Sequence, residues 1–207
     1  MVVARVTCEI LGPVPVGELE IAARVVRPGR SVELVEAVAR AGGRDVASVR
    51  AWRVLRTPGP SVPEFPAAPP GLPGKEIART PPGWVDGYLS AVEWRPVRGE
   101  FGVPGPATVW ARLRYPLVDG EQTGPLERVL AVADSGNGLS SELDIAKWQF
   151  INPELTVHLN REAVGEWVCI DASTTISTGG AGLARSHLFD RDGQVGIGAQ
   201  SLLVTRR

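Results

Sequence analysis

The chain has 207 residues, enough for one large domain or two small ones with a real core. Charged residues make up 22% of it and the net charge is −1, which argues against a nucleic-acid partner, since such binders carry a basic stripe. No apolar run reaches the ~18 residues of a spanning helix, and Met1-Val2-Val3-Ala4-Arg5 lacks the charged-then-apolar order of a signal peptide; the expectation is a cytoplasmic protein with no membrane partner.

The first segment reads as strands. Val2, Ala4, Val6, Cys8 and Ile10 alternate with Arg5, Thr7 and Glu9, the period-2 signature of a half-buried strand. Gly12-Pro13 and Pro15 break it. Leu19, Ile21, Ala23 and Val25 form a second run that Pro28-Gly29 closes. Residues 31–41 and 46–55 then make a long hairpin about Gly42-Gly43.

Residues 57–83 change character, because nine of the chain's 18 prolines lie there. Proline removes donors and fixes φ, so this stretch is expected to be an extended connector. It divides the chain into residues 1–56, the linker 57–83 and residues 84–207.

Beyond it, residues 88–96 and 109–115 read as strands. The period then shifts: Leu126, Val129, Leu130 and Ala133 fit i, i+3, i+4, i+7, which predicts a helix over 124–135. Asp134-Ser135-Gly136-Asn137-Gly138 ends or kinks it. Strands follow at 155–159, 166–175, 182–190 and 194–204, with Asp192-Gly193 as a hairpin turn. Strands, one helix and a run of long strands indicate an α+β domain, a curled antiparallel sheet wrapped on a helix.

Cys8 and Cys169 sit far apart in apolar strand patterns and read as buried free thiols of a reducing compartment. Two histidines, two cysteines and no CxxC or HxxxH spacing give no metal site. No cofactor is expected.

The chemistry concentrates near the C-terminus. Asn152-Pro153-Glu154-Leu155-Thr156-Val157-His158, Gly165-Glu166-Trp167, Ser173-Thr174-Thr175 and Gly198-Ala199-Gln200-Ser201 bring a carboxylate, a hydroxyl and an amide onto successive strands. Three such groups can hold a water molecule and remove its proton, which is hydrolase chemistry.

These motifs, with Ala133-Asp134-Ser135 and the stretch from Gly179-Gly180-Ala181-Gly182 to Arg185, resemble the type II (TesB-like, double-hotdog) acyl-CoA thioesterases. Residues 84–205 resemble the family's C-terminal hotdog. Leu11-Gly12-Pro13-Val14-Pro15 and Arg27-Pro28-Gly29-Arg30 resemble the later strands of its N-terminal hotdog. Members usually begin with a further strand, a turn and a helix, so the resemblance implies an N-terminally short member. Its first hotdog is expected to have four strands and no helix of its own.

The resemblance implies an acyl-CoA substrate, a homo-oligomer, and catalysis by Glu154 as base with Thr175 and Gln200 fixing the water. For the absent first helix it leaves two readings, a misplaced start of the sequence or a partner that fills the first-half groove. Glu154 stands where the family motif usually carries Asp; the added methylene shifts a base by about 1 Å, and such a shift can cost on the order of 10²-fold in rate. Asn152 is a second candidate for orienting the water, or simply a turn residue before Pro153. Asp134 reads as a polar helix end near the substrate or as a turn residue. Gly180 and Arg185 read either as a CoA-phosphate loop or as a plain β-turn. Thr174 is the neighbour most easily confused with Thr175, and His158 reads as a structural imidazole. The competing function is a catalytically weak acyl-thioester-binding protein; a hydratase ranks lower, because neither His158 nor His187 lies in a paired acid–base motif.

Overall fold

The computed structural model describes residues 1–59, 69–74 and 87–207. Four strands open the chain: β1 (Val2–Ile10), β2 (Glu20–Arg27), β3 (Val32–Ala41) and β4 (Arg44–Val54). The β3–β4 turn needs Gly42 and Gly43, both at positive φ (54° and 77°), where a side chain would be strained. Register fixes the faces. Val6 pairs Ala51 and Cys8 pairs Val49, while Val35 and Ala37 pair the same two residues from the other side, so these six make a small, apolar patch on one face. The opposite face is charged, and there Glu36 accepts hydrogen bonds from Arg24 and Arg50, both at 2.7 Å.

Next come β5 (Val92–Arg98), β6 (Ala107–Leu113), the helix α1 (Pro125–Ala133) and a one-turn helix α2 (Gly136–Leu139). The strands β7 (Trp148–Ile151), β8 (Glu154–Leu159), β9 (Val168–Ile176), β10 (Ala181–Asp190) and β11 (Gly193–Arg206) complete the fold. Among the described residues, all eleven strands belong to one sheet, ordered β2-β3-β4-β1-β8-β11-β10-β9-β6-β5, with β7 pairing β11. The two halves join without a break, because β1 pairs β8 antiparallel from Arg5↔His158 to Glu9↔Glu154.

The helix lies on the inner face. Val129, Val132 and Ala133 of α1 are buried with Val109, Leu155, Val157, Ile170 and Leu188 from four strands. Val157, Ile170 and Leu188 are each sealed completely, and full burial of such a side chain contributes roughly 1.5–3 kcal/mol. Outside the sheet, Trp110, Trp167, Cys169 and Phe189 form a second cluster under Leu72. There the described part of the Pro-rich segment is pinned. Trp110 Nε1 donates to the Pro70 carbonyl at 2.9 Å, and an Arg95 guanidinium N–H to that of Pro73 at 3.0 Å. The remainder of the expected linker, residues 60–68 and 75–83, lies outside the described residues.

Three expectations change. Residues 88–91 form a turn instead of the start of a strand, so β5 begins at Val92. The helix stops at Ala133, and the Asp-Ser-Gly-Asn-Gly run starts a second helical turn. β7 had no clear period-2 signal, since it is only four residues long. Both cysteines are free thiols; Cys169 is buried and Cys8 partly so. No helix among the described residues is long and apolar enough to cross a membrane.

Candidate active site

The inner-face parity of β9 and β11 decides which polar side chains meet. On β11, Gln200 shares its face with Leu202 and Val204, all buried, and it is 1% exposed. An amide buried that deeply needs partners. Its Oε1 accepts the Asn137 backbone N–H at 3.0 Å, and its Nε2 donates to the Asp134 carbonyl at 3.1 Å and to Asp134 Oδ1 at 3.2 Å. Asn152 Nδ2 donates to the same Oδ1 at 2.9 Å, and Asn137 Nδ2 donates to Asn152 Oδ1 at 3.2 Å. Asp134, Asn152, Asn137 and Gln200 therefore close a ring of hydrogen bonds between the α1–α2 junction and the sheet. Gly136 makes room for it, since a Cβ there would lie 2.8 Å from Gln200 Oε1.

Asp134 occupies the C-cap of α1, where the helix dipole disfavours a carboxylate. The ring offsets this at Oδ1. Oδ2 accepts no hydrogen bond from the described residues, and Asp134 is exposed. It borders two cavities. One, of about 580 Å³, is lined by aromatic and polar groups, among them Phe101, Asn137, Trp148, Phe150 and Arg207. The other, of about 520 Å³, is aliphatic, lined by Val6, Cys8, Val49, Leu130 and Leu155. Tyr88 and Asp134 border both. The Tyr88 hydroxyl donates to the Ala131 carbonyl at 2.6 Å and meets Ser135 Oγ at 2.8 Å. Burial of that hydroxyl pushes its pKa up to about 12; the Ser135 bond opposes this and the Asp134 charge adds to it. Burial, then the Asp134 and Glu9 charges, likewise raise the pKa of the Cys8 thiol.

The other sequence candidates fall elsewhere. On β8, Leu155 and Val157 face the helix, so Glu154 and Thr156 face outward. Glu154 Oε1 accepts the Ser201 backbone N–H at 2.7 Å, and Oε2 accepts the Thr156 hydroxyl at 3.1 Å. It caps the sheet ladder where the chain passes from β7 to β8 and does not line either of the two cavities. Thr175 is exposed on the outer face of β9 with Asp171 and Ser173. One residue back, Thr174 is the inward hydroxyl, 4% exposed, and its Oγ1 lies 2.8 Å from the buried Ser140 Oγ, which also donates to the Gly136 carbonyl. A one-residue step flips a strand side chain to the other face, so Thr174 points inward and Thr175 outward.

Arg185 is exposed on the outer face of β10 and donates from Nε to Ser173 Oγ at 3.2 Å. Gly180 serves the β9–β10 turn, with φ 81° and its carbonyl accepting the Val204 N–H at 2.9 Å. Neither borders the two cavities. The residues that sequence reasoning missed are Asn137, Ser140 and Tyr88. Asp-Ser-Gly-Asn-Gly carried the signal for Asn137, but as a helix stop it already had an explanation.

Residues 61–204 match the family model described as acyl-CoA thioesterase C-terminal domain, and residues 2–54 match that described as acyl-CoA thioesterase N-terminal domain. No curated protein matches the chain significantly. Among solved structures, acyl-CoA thioesterase II TesB2 from Mycobacterium marinum superposes with a TM-score of 0.71 at 21% identity, covering 99% of this chain and 81% of that one. The tesB protein of Mycobacterium avium subs. paratuberculosis gives 0.70 at 17% identity, covering 98% and 78%. A hot dog fold protein of unknown function from Alicyclobacillus acidocaldarius gives 0.72 at 18%, covering 99% and 78%. These likenesses show the fold, the expected α+β hotdog arrangement.

Proposed function

This chain belongs to the acyl-CoA thioesterase family, whose members are thioester hydrolases, and from that premise we propose that it cleaves an acyl-CoA with water activated by Asp134. The observation that carries the reading is the position of that carboxylate. Among the described residues it is the one carboxylate bordering both cavities, its Oδ1 held by Asn152 and Gln200 and its Oδ2 free of such bonds.

The division of the cavities supports a division of the substrate. The aliphatic cavity suits an acyl chain, and the aromatic and polar one suits the amide-bearing pantetheine arm. The thioester carbonyl then lies beside Asp134. The carboxylate takes a proton from water as the oxygen attacks the carbonyl carbon, and the tetrahedral intermediate collapses with loss of the thiolate. That thiolate recovers a proton from Asp134, leaving free acid and CoA thiol. No covalent acyl-enzyme is needed. Gln200 and Asn152 act by positioning, which by itself is worth several kcal/mol in such reactions. Glu154 and Thr175 take no part in this scheme.

A homo-oligomer fits the same reading. β2 is a free sheet edge exposed along its length, with Ile21 and Val25 bare on the apolar face, and a second copy would cover them. Small-angle scattering that returned a monomer would remove this part.

The test is release of free CoA from short, medium and aromatic acyl-CoAs by the parent chain, Asp134→Asn and Gln200→Leu. Turnover in the parent with loss in both variants supports the scheme. Undiminished turnover by Asp134→Asn sinks it.

A further inference from the structure

The larger cavity has a cationic end remote from Asp134. Arg207 borders it; its backbone N–H donates to the Lys147 carbonyl at 3.1 Å, and its Nε to the Trp148 carbonyl at 3.4 Å. The Arg206 guanidinium lies 5.4 Å from the centroid of the Trp148 ring. Lys147 faces Asp144 across 3.4 Å, the one ion pair in this group; among the described residues neither Arg206 nor Arg207 is ion-paired. Three cations therefore stand with one neighbouring side-chain carboxylate, Arg207 lining the cavity and Lys147 and Arg206 flanking its Trp148 wall, while Asp134 lines the same cavity beside Asn152.

The strand between the two ends acts as a ruler. Asn152 holds Asp134, and Arg206 pairs Trp148 at the start of β7. The four steps from Asn152 back to Trp148, at about 3.3 Å per extended residue, span about 13 Å, and Lys147 and the two arginines lie just beyond. From its sulfur to its first phosphorus, an extended pantetheine arm reaches about 16 Å at ordinary bond lengths and angles, a length of the same order. Trp148, Phe150 and Gln149 line the route between them.

We propose that Lys147, Arg206 and Arg207 bind the phosphate at the far end of the pantetheine arm of a substrate whose thioester lies beside Asp134. This rests on the thioesterase reading above. Guanidinium–phosphate hydrogen bonds are charge-assisted, and an arginine fork matches phosphate geometry. The recognised chemistry is common to CoA and to the phosphopantetheine of a carrier protein.

The experiment compares one acyl group on four carriers: CoA, 4′-phosphopantetheine, pantetheine and N-acetylcysteamine. In Arg206→Ala/Arg207→Ala, KM should rise roughly tenfold for the first two with kcat held, as expected for losing charge-assisted contacts. The two phosphate-free thioesters should be unaffected. Equal losses on all four would make the arginines structural and overturn the proposal. So would an unchanged KM for acyl-CoA, or a rise confined to acyl-CoA, which would move recognition to the nucleotide. An acyl-carrier protein that loses as much as acyl-CoA identifies the shared phosphate as the group read. Calorimetric binding of free CoA, weakened in the double variant, carries the test without turnover. A parent chain that binds CoA through these arginines yet releases none from any thioester ends the hydrolase reading alone.

Discussion

The carboxamide of Gln200 holds Asp134 twice, donating from Nε2 to its carbonyl oxygen at 3.1 Å and to its Oδ1 at 3.2 Å. One buried side chain thus fixes both the backbone and the side chain of a residue at the end of a helix. Gln200→Leu keeps the volume and removes every bond, leaving the Asn137 N–H unpaired. We expect kcat to fall by about 10²-fold with KM within a few-fold, because positioning and not binding is lost. A stability cost of about 1–3 kcal/mol should accompany it. Steady-state kinetics beside denaturant melts check both.

Gly136→Ala tests the same relationship from the helix side. The new Cβ would lie 2.8 Å from Gln200 Oε1, so the carboxamide must move or the helical turn must shift. Ala otherwise favours a helix by up to about 1 kcal/mol over Gly. The expected result is a nearly unchanged melting temperature with turnover reduced at least tenfold. Full activity would show that the ring tolerates displacement.

Glu154 and Thr175 should behave oppositely to Asp134. Glu154 accepts the Ser201 N–H and the Thr156 hydroxyl on the outer face, so Glu154→Ala should cost about 1 kcal/mol of stability and leave kcat within twofold. Thr175→Ala, at an exposed position, should change neither. Thr174→Val, which leaves the buried Ser140 hydroxyl with the Gly136 carbonyl alone, should destabilise by about 1 kcal/mol and loosen α2 on β9. Chemical denaturation and CoA release on the four proteins separate these roles.

Alternation made most strands legible, and the 3.6 period located α1, because each pattern repeats over many residues. The family motifs also brought Gln200 and Asp134 to notice. What the sequence did not disclose was facing. In Ser173-Thr174-Thr175 three hydroxyls follow one another, so no apolar contrast marks the inward one; only the register of Ile170 and Ala172 against β6 puts Thr174 inside. The facing of Glu154 follows from a pattern that was legible. Leu155 and Val157 already showed a half-buried strand, and that same alternation turned Glu154 away from the helix. Asn137 and Tyr88 reach the site from a helical turn and a loop, where no period announces direction.

The aliphatic cavity offers a lever on acyl preference. Val49 lines its wall opposite Leu130, on the small-residue face of the first four strands. Val49→Phe would fill part of its volume of about 520 Å³. Each methylene excluded or poorly packed changes discrimination by about 1–3 kcal/mol. The variant should therefore lose kcat/KM on longer acyl-CoAs by at least tenfold while keeping it on acetyl-CoA. A uniform loss along the chain-length series would mean that the acyl group binds elsewhere.

Acid should weaken the fold through Asp190. This residue is fully buried, and its carboxylate receives both terminal nitrogens of Arg161 together with the Val164 and Asp192 N–H groups. Burial alone would raise its pKa, but the Arg161 pair and the two backbone donors outweigh it and hold the carboxyl below its usual range. A depressed folded-state value means that protons bind the unfolded chain more readily. The contribution is therefore complete above the unfolded value of about 3.9 and is lost as pH falls through the folded one. Asp190→Asn should cost about 3 kcal/mol at neutral pH, since it leaves a guanidinium without its buried partner. The gap between parent and variant melting temperatures should then close as pH falls below about 4. A gap that stayed constant down to the acid limit would show that the packing of the 160–167 loop, and not the ion pair, is what the substitution disturbs.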